Sequence, residues 1–329
     1  MIDLKHGLAL LEQLPAQAAT FLEDEALSHY LSNFALRFSP DVELPKSLPV
    51  GQPDFWLFLP FATVRDFPGC APQRVRQLAI ASVCMIVYNL LFDTVVDDPG
   101  KPDITTQVLA EAALAKLHEQ LYALFPPLSP FWNYYRPLYH RFLSAMIEER
   151  TAHKGRPQPY TYADYIRLSQ EKMTMVLLNP LGLAVLGDSL ESIPVLLAAW
   201  HELNVAVVML DDIKDWEEDY HEANFTYLLT QALNITSPDQ PLPKDESALI
   251  TQVVFSGVIE SLYRQGARHL DLAATLAQEI GAEALVGLAN ERAIMFRKFG
   301  RQLFQRKLTA WRQSVTNLSH LIEKKEELP

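Results

Sequence analysis

Apolar positions recur every three or four residues along most of this chain, and alternating strand-type runs are few, so the pattern predicts helix nearly throughout. Leu4, Leu8 and Leu11, then Leu27, Tyr30, Leu31 and Phe34, predict two amphipathic helices over residues 2–13 and about 20–37, packed outside the main core. The Pro-rich stretch over 39–60, holding Phe55, Trp56 and Phe58, reads as a tethered loop. A long helix starts near Pro72 and is stopped just past Asp98 by Pro99-Gly100. Its apolar residues run nearly all round, which marks a central, buried helix.

Further helices are expected over 104–125 and 131–152, the latter ending in Glu148-Glu149-Arg150. One over 162–186 should kink at Pro180. Pro194 opens a long apolar helix reaching about His221, followed by a short one over 224–233 and a breaker-rich surface loop over 236–246. Two long helices, 247–280 and 282–321, close the chain, with Gly266 and Gly281 as bends. The expected fold is all-α: a bundle of about ten helices around a central cavity. Residues 1–60 are read as N-terminal helices and loop packed on a helical domain over 61–322, with a charged tail over 323–329.

Composition narrows this picture. At 329 residues and 49% hydrophobic the chain is globular and ample for a sizeable core. A net charge of -12 disfavours nucleic acid and anionic membrane as partners. Cys70 and Cys84 have no metal-ligand spacing and read as reduced core thiols of a cytoplasmic protein. No signal peptide is expected at the N-terminus. The most apolar uncharged run, Gln77 to Phe92, is 16 residues and short of a membrane span, so none is expected.

Two acidic clusters break the apolar pattern. One is Asp93-Thr94-Val95-Val96-Asp97-Asp98, and the other runs from Asp211-Asp212 through Asp215 to Asp219. Each follows an apolar stretch, where carboxylates are out of place. Residues four apart on a helix share a face, separated by about 6 Å of rise, so Asp93 and Asp97 project together and Asp211, Asp215 and Asp219 form a column. Such a column destabilises its helix and raises a member's pKa unless a cation neutralises it. Hard oxygen donors with few His or Cys nearby point to Mg2+, which keeps waters and completes its shell with phosphate oxygens. No Ser-His-Asp set, Gly-rich phosphate loop or zinc spacing accompanies them.

The second cluster resembles the Asp-Asp-x-x-Asp motif of trans-isoprenyl diphosphate synthases, matched by Asp211, Asp212 and Asp215. The first is similar to the same motif, with Thr94 in place of the second aspartate. Lys172 and Thr174, 39 and 37 residues before Asp211, resemble the family's diphosphate-binding lysine and threonine, with Met173 between them. In other registers the clusters resemble the metal triad of class I terpene cyclases (Asp211, Asp215, Asp219) and the paired motifs of squalene and phytoene synthases. These families share one helical fold and one ionisation step. The resemblance implies metal ligation by Asp93, Asp97, Asp211, Asp215 and Asp219 around a cluster of about three Mg2+ ions. It also implies diphosphate binding by Lys172, with Arg167, Lys214 and Arg297 as further candidates, and it is compatible with a homodimer.

Departures bear on the reaction. Chain-elongating synthases carry Arg-Arg-Gly after the first motif, whereas Asp98 is followed by Pro99-Gly100-Lys101-Pro102. Arg74 and Arg76 resemble their earlier basic element, but on one continuous helix Arg74 is about 28 Å from Asp93. With one basic diphosphate pocket, the expected enzyme is a Mg2+-dependent terpene synthase or cyclase acting on a prenyl diphosphate. A prenyltransferase is the alternative, and a silent helical binding protein is the third reading. An apolar pocket would shelter the carbocation, with Phe92, Trp216, Tyr220, Tyr263, Phe296 and Phe299 as aromatic candidates beside plain core roles.

Overall fold

The structure, a computed structural model, describes residues 59–60, 63–97 and 104–326. The helices expected over 2–13 and 20–37, most of the loop over 39–60, and Asp98 lie outside these residues. Ten α-helices follow from residue 72: α1 (Pro72–Asp97), α2 (Ile104–Leu124), α3 (Phe131–Glu148), α4 (Tyr162–Lys172), α5 (Leu178–Leu186), α6 (Ile193–His221), α7 (Tyr227–Ala232), α8 (Glu246–Phe255), α9 (Val258–Glu279) and α10 (Glu283–Glu326). Among the described residues there is no β-strand, only an isolated antiparallel bridge between Lys154 and Asn224.

α6 is the central element, packed on α9, α4 and α5. Its apolar residues go all round, and Leu196, Trp200, Leu203, Val205 and Met209 are all buried. Burying each such side chain stabilises the fold by about 1.5–3 kcal/mol relative to exposure. This helix, and not the run over 77–92, is the described one long and apolar enough to cross a membrane. With 61% of its apolar window buried inside the protein, it is a core helix. α1 packs along α2 and delivers Asp93 and Asp97 in its last turns.

Three expected helices are cut differently. The segment over 162–186 breaks at Met173 and passes through a 3-10 turn (Thr174–Leu177) before α5. Pro180 does not kink it, because it falls in the first turn of α5, where its missing N–H has no intrahelical partner to lose. The segment over 247–280 breaks at Gly257, whose φ of +80° favours glycine, and does not bend at Gly266. Gly266 instead lets α9 approach α10, since a Cβ there would overlap the Phe296 ring. Gly281, at φ +68°, separates α9 from α10 outright. The last helix runs to Glu326, through most of the segment expected as a tail.

α3 ends in a π turn, Glu149–His153, not in regular helix. Thr161 caps α4, its hydroxyl accepting from the Asp164 N–H. The π turn and the α6–α7 loop are tied together: Phe225 N–H donates to the His153 carbonyl at 3.0 Å and Gly155 N–H to the Ala223 carbonyl at 2.7 Å. These ties bring Glu149, Arg150, His153 and Asn224 beside the end of α6.

Candidate functional site

Asp211, Asp215 and Asp219 line one cleft of about 230 Å³, as the column on α6 requires. Lys172, at the end of α4, faces them, and the π turn adds Glu149 and Arg150. Lys154 and Asn224 complete that side. Asn224 donates from Nδ2 to Asp219 Oδ1 at 2.7 Å.

The Asp211 and Asp219 carboxyls are held at raised pKa. Asp211 keeps a solvent-exposed edge, but partial desolvation among its neighbours pushes it up, Asp215 adds to the effect, and the Lys172 and Lys214 charges oppose it. Asp219 is pushed up to about 6, first by burial, against the pull of its Asn224 hydrogen bond and of Lys172. Burial is the main cause and the like charges along one helix face add to it, and a cation beside them would favour the ionised forms. Among the described residues, no group of three or more His, Cys, Asp or Glu side chains is gathered closely enough to hold a metal ion, the Asp211, Asp215, Asp219 column included. The wall on α6 fits an ion that keeps waters and takes its remaining oxygens from phosphate. The expectation for the Asp93 and Asp97 side chains lies outside the description, which places only their backbone on α1.

Lys172 forms an ion pair with Glu149, both side chains being partly buried. Thr174 is turned inward, its hydroxyl donating to the carbonyls of Leu138 at 2.7 Å and Glu171 at 2.8 Å. Arg167 pairs with Glu148 and Glu171, and Arg297 with Asp271 on α9; neither lines the cleft. Lys214 is exposed on α6 and acts on Asp211 through its charge. Asp212 points away from the column into the protein, only 9% exposed, and burial pushes its carboxyl up to about 8.

Asn204, Glu202 and His201 of α6 lie outside the cleft lining. Asn204 is buried and donates from Nδ2 to the Met173 carbonyl at 3.4 Å, holding the end of α4. Glu202 meets His269 Nδ1 at 2.5 Å, and Tyr162 meets His269 Nε2 at 2.9 Å, which clamps α4, α6 and α9. His201, pushed down to about 4 by burial, lies in the same part of α6.

Among the aromatic candidates, Phe92 stacks on Tyr88 at 5.4 Å between ring centroids and meets Phe142 at 6.1 Å, one residue before Asp93. Trp216 and Phe296 are core residues, Tyr263 on α9 meets both Phe296 and the exposed Phe299 of α10, and the Tyr220 hydroxyl donates to the Pro243 carbonyl at 2.6 Å. Glu149, Arg150, Lys154 and Asn224 were not legible as site residues. Glu149 and Arg150 were signalled only by the Glu-Glu-Arg run at the end of a helix and lie on the π turn, whereas Lys154 and Asn224, which had no such signal, are brought to the cleft by the bridge between them.

No family model matches the chain, and no curated protein sequence matches it. Solved structures do, over most of its length. A polyprenyl synthase from Roseobacter denitrificans superposes with a TM-score of 0.61 at 14% identity, covering 86% of this chain and 99% of that one. A geranylgeranyl pyrophosphate synthase from Lactobacillus brevis gives 0.62 at 16%, covering 87% and 98%. A polyprenyl synthase from Caulobacter crescentus, complexed with calcium and isoprenyl diphosphate, gives 0.60 at 16%, covering 88% and 97%. The chain therefore has the class I isoprenoid synthase fold, an all-helical scaffold shared with prenyl synthases.

Proposed function

We propose that the protein is a Mg2+-dependent prenyltransferase that ionises one prenyl diphosphate and passes the prenyl group to an acceptor. The observation that carries this reading is the Asp211, Asp215, Asp219 column facing Lys172 across one cleft, on the fold of polyprenyl synthases. Asp211, Asp215 and Asp219 would hold metal on one wall, with Asp93 and Asp97 proposed for the other. Mg2+ supplies Lewis-acid stabilisation of the departing pyrophosphate. Lys172, with Arg150 and Lys154 beside it, binds the diphosphate oxygens once it exchanges Glu149 for substrate. Arg167 and Arg297, committed to pairs outside the cleft, are left without that role.

As the carbon–oxygen bond breaks, its electron pair leaves with pyrophosphate and the prenyl carbon becomes an allylic cation. Tyr88 and Phe92 on α1 and Phe142 on α3, packed ring against ring, are the aromatic faces that would stabilise it. The acceptor then attacks the cation and loses a proton.

Terpene synthesis is the second reading, favoured by a specific observation. α1 is continuous from Pro72 to Asp97, so Arg74 lies about 28 Å along the helix from Asp93 and cannot share a diphosphate with it. The same observation favours an uncharged acceptor if the enzyme is a transferase.

The test is to incubate the purified protein with Mg2+ and prenyl diphosphates of ten to twenty carbons, with and without isopentenyl diphosphate or an uncharged acceptor. Pyrophosphate release that requires an acceptor, with a prenylated product, supports the transferase. Release with a hydrocarbon or alcohol product and no acceptor overturns it in favour of the terpene synthase. No turnover, with no Mg2+-dependent binding of diphosphate, leaves the silent binding protein.

A further inference from the structure

Beside the acidic cleft lies a second, smaller chamber of about 30 Å³. Tyr165 and Ser169 reach it from α4, Asp212 from α6, His153 from the π turn and Thr226 from the residue before α7. Lys172 and Glu149 border both spaces. Within this lining, His153 Nδ1, Tyr165 Oη, Ser169 Oγ, Asp212 Oδ2 and Thr226 Oγ1 are buried without a hydrogen-bond partner. The Tyr165 hydroxyl and the Asp212 carboxylate face each other at the range of a weak hydrogen bond, yet Tyr165 Oη and Asp212 Oδ2 fall short of full hydrogen-bond geometry.

Each buried polar group left unsatisfied costs about 1–3 kcal/mol, so five around one space call for a ligand that satisfies them together. A water needs about 10–15 Å³ of such volume, so the chamber of about 30 Å³ has room for about two or three. The donor set selects water over a metal ion. Three hydroxyls can donate as well as accept, one imidazole nitrogen and one carboxylate complete the set, and the Lys172 charge at the border disfavours a second cation.

We propose that this chamber binds ordered water, and that through it Asp212 is a positioning residue for the acidic wall. Water bridging Asp212 to Tyr165 and Ser169 ties the turn of α6 that carries Asp211 to the helix that carries Lys172. Bridging to His153 and Thr226 ties the same turn to the π turn and the α6–α7 loop, which flank the cleft. The spacing between Asp211 and Lys172 is thereby set from behind. The water rests on the chamber alone, whereas the positioning role rests on the proposed function.

A crystal structure of the full chain, without substrate, tests the water. Density at about 2.6–3.2 Å from at least three of the five atoms is expected. A dry chamber, closure by a direct Tyr165–Asp212 hydrogen bond, or an anomalous peak after a rubidium soak would overturn it. Calorimetry with Mg2+ and inorganic pyrophosphate tests the positioning. Asp212→Asn, which keeps an oxygen toward the water, should bind within about threefold of wild type, and Asp212→Leu about tenfold or more weakly with its helical spectrum intact. Ser169→Val, remote from the column, serves as the second variant and should weaken binding in the same direction. Wild-type affinity in both Asp212→Leu and Ser169→Val would refute the positioning role. A wild-type protein that ignored magnesium pyrophosphate would count against the proposed function and the positioning role with it, while the density still decides the water.

Discussion

Lys172 is paired with Glu149 across the mouth of the acidic cleft, so the cation best placed to take a diphosphate already holds a carboxylate. Both side chains are partly buried, 30% and 23% exposed, and a diphosphate with more charge and more acceptor oxygens can displace a single carboxylate. Lys172→Ala is expected to lower kcat/KM for the prenyl diphosphate about 10- to 100-fold, chiefly through KM. Glu149→Gln, which leaves the lysine without its competitor, should lower KM a few-fold. Steady-state kinetics on the two variants checks both signs, and an unchanged KM in both would remove Lys172 from the diphosphate site.

Asp211→Asn and Asp215→Asn should each reduce turnover by about 100-fold or more, and so should Asp93→Asn on the proposed opposite wall. None should alter the helical circular dichroism spectrum, because each changes charge and not size. In the wild type, Mg2+ with pyrophosphate at about 100 times its dissociation constant should stabilise the fold by about 2.7 kcal/mol, and the variants should lose most of this. Thermal melts with and without the pair measure it.

His201 predicts a pH dependence of stability. Burial lowers its pKa from the usual 6.5 to about 4, so the unfolded chain binds the proton more readily than the folded one. The stability this represents is present above pH 6.5 and is lost as pH falls from there through about 4, up to about 3 kcal/mol. His201→Leu should flatten the fall in Tm between pH 6.5 and 4. An unaltered slope would show that the imidazole is hydrated in the folded protein.

Two glycines on neighbouring helices should respond in opposite directions to alanine. At Gly266 the new Cβ meets the Phe296 ring, so Gly266→Ala should destabilise by about 1–3 kcal/mol through forced repacking of α9 on α10. Gly287 lies within α10 with nothing within 4 Å of an added Cβ, so Gly287→Ala should stabilise by about 0.5–1 kcal/mol through helix propensity. Urea unfolding of the two variants measures both.

The three-and-four spacing of apolar residues determined the class of fold, because burial on a helix needs only that periodicity and the right length. Pro72 and Pro194 marked helix starts, and the column of Asp211, Asp215 and Asp219 followed from the helical repeat alone. What tertiary packing decided is where one helix gives way to the next and which charges meet. Met173 and Gly257 end helices that local spacing would have continued, and the freed segments let α4 and α9 settle against α6. Arg167 and Arg297 matched by position along the chain, yet their charges are taken by Glu148 and Asp271, partners 19 and 26 residues away. Asp212, one residue from a metal-ligand candidate, lies on a different face because successive helical positions differ by about 100°, and only the packing of α4 and the π turn shows that this direction leads into a polar chamber.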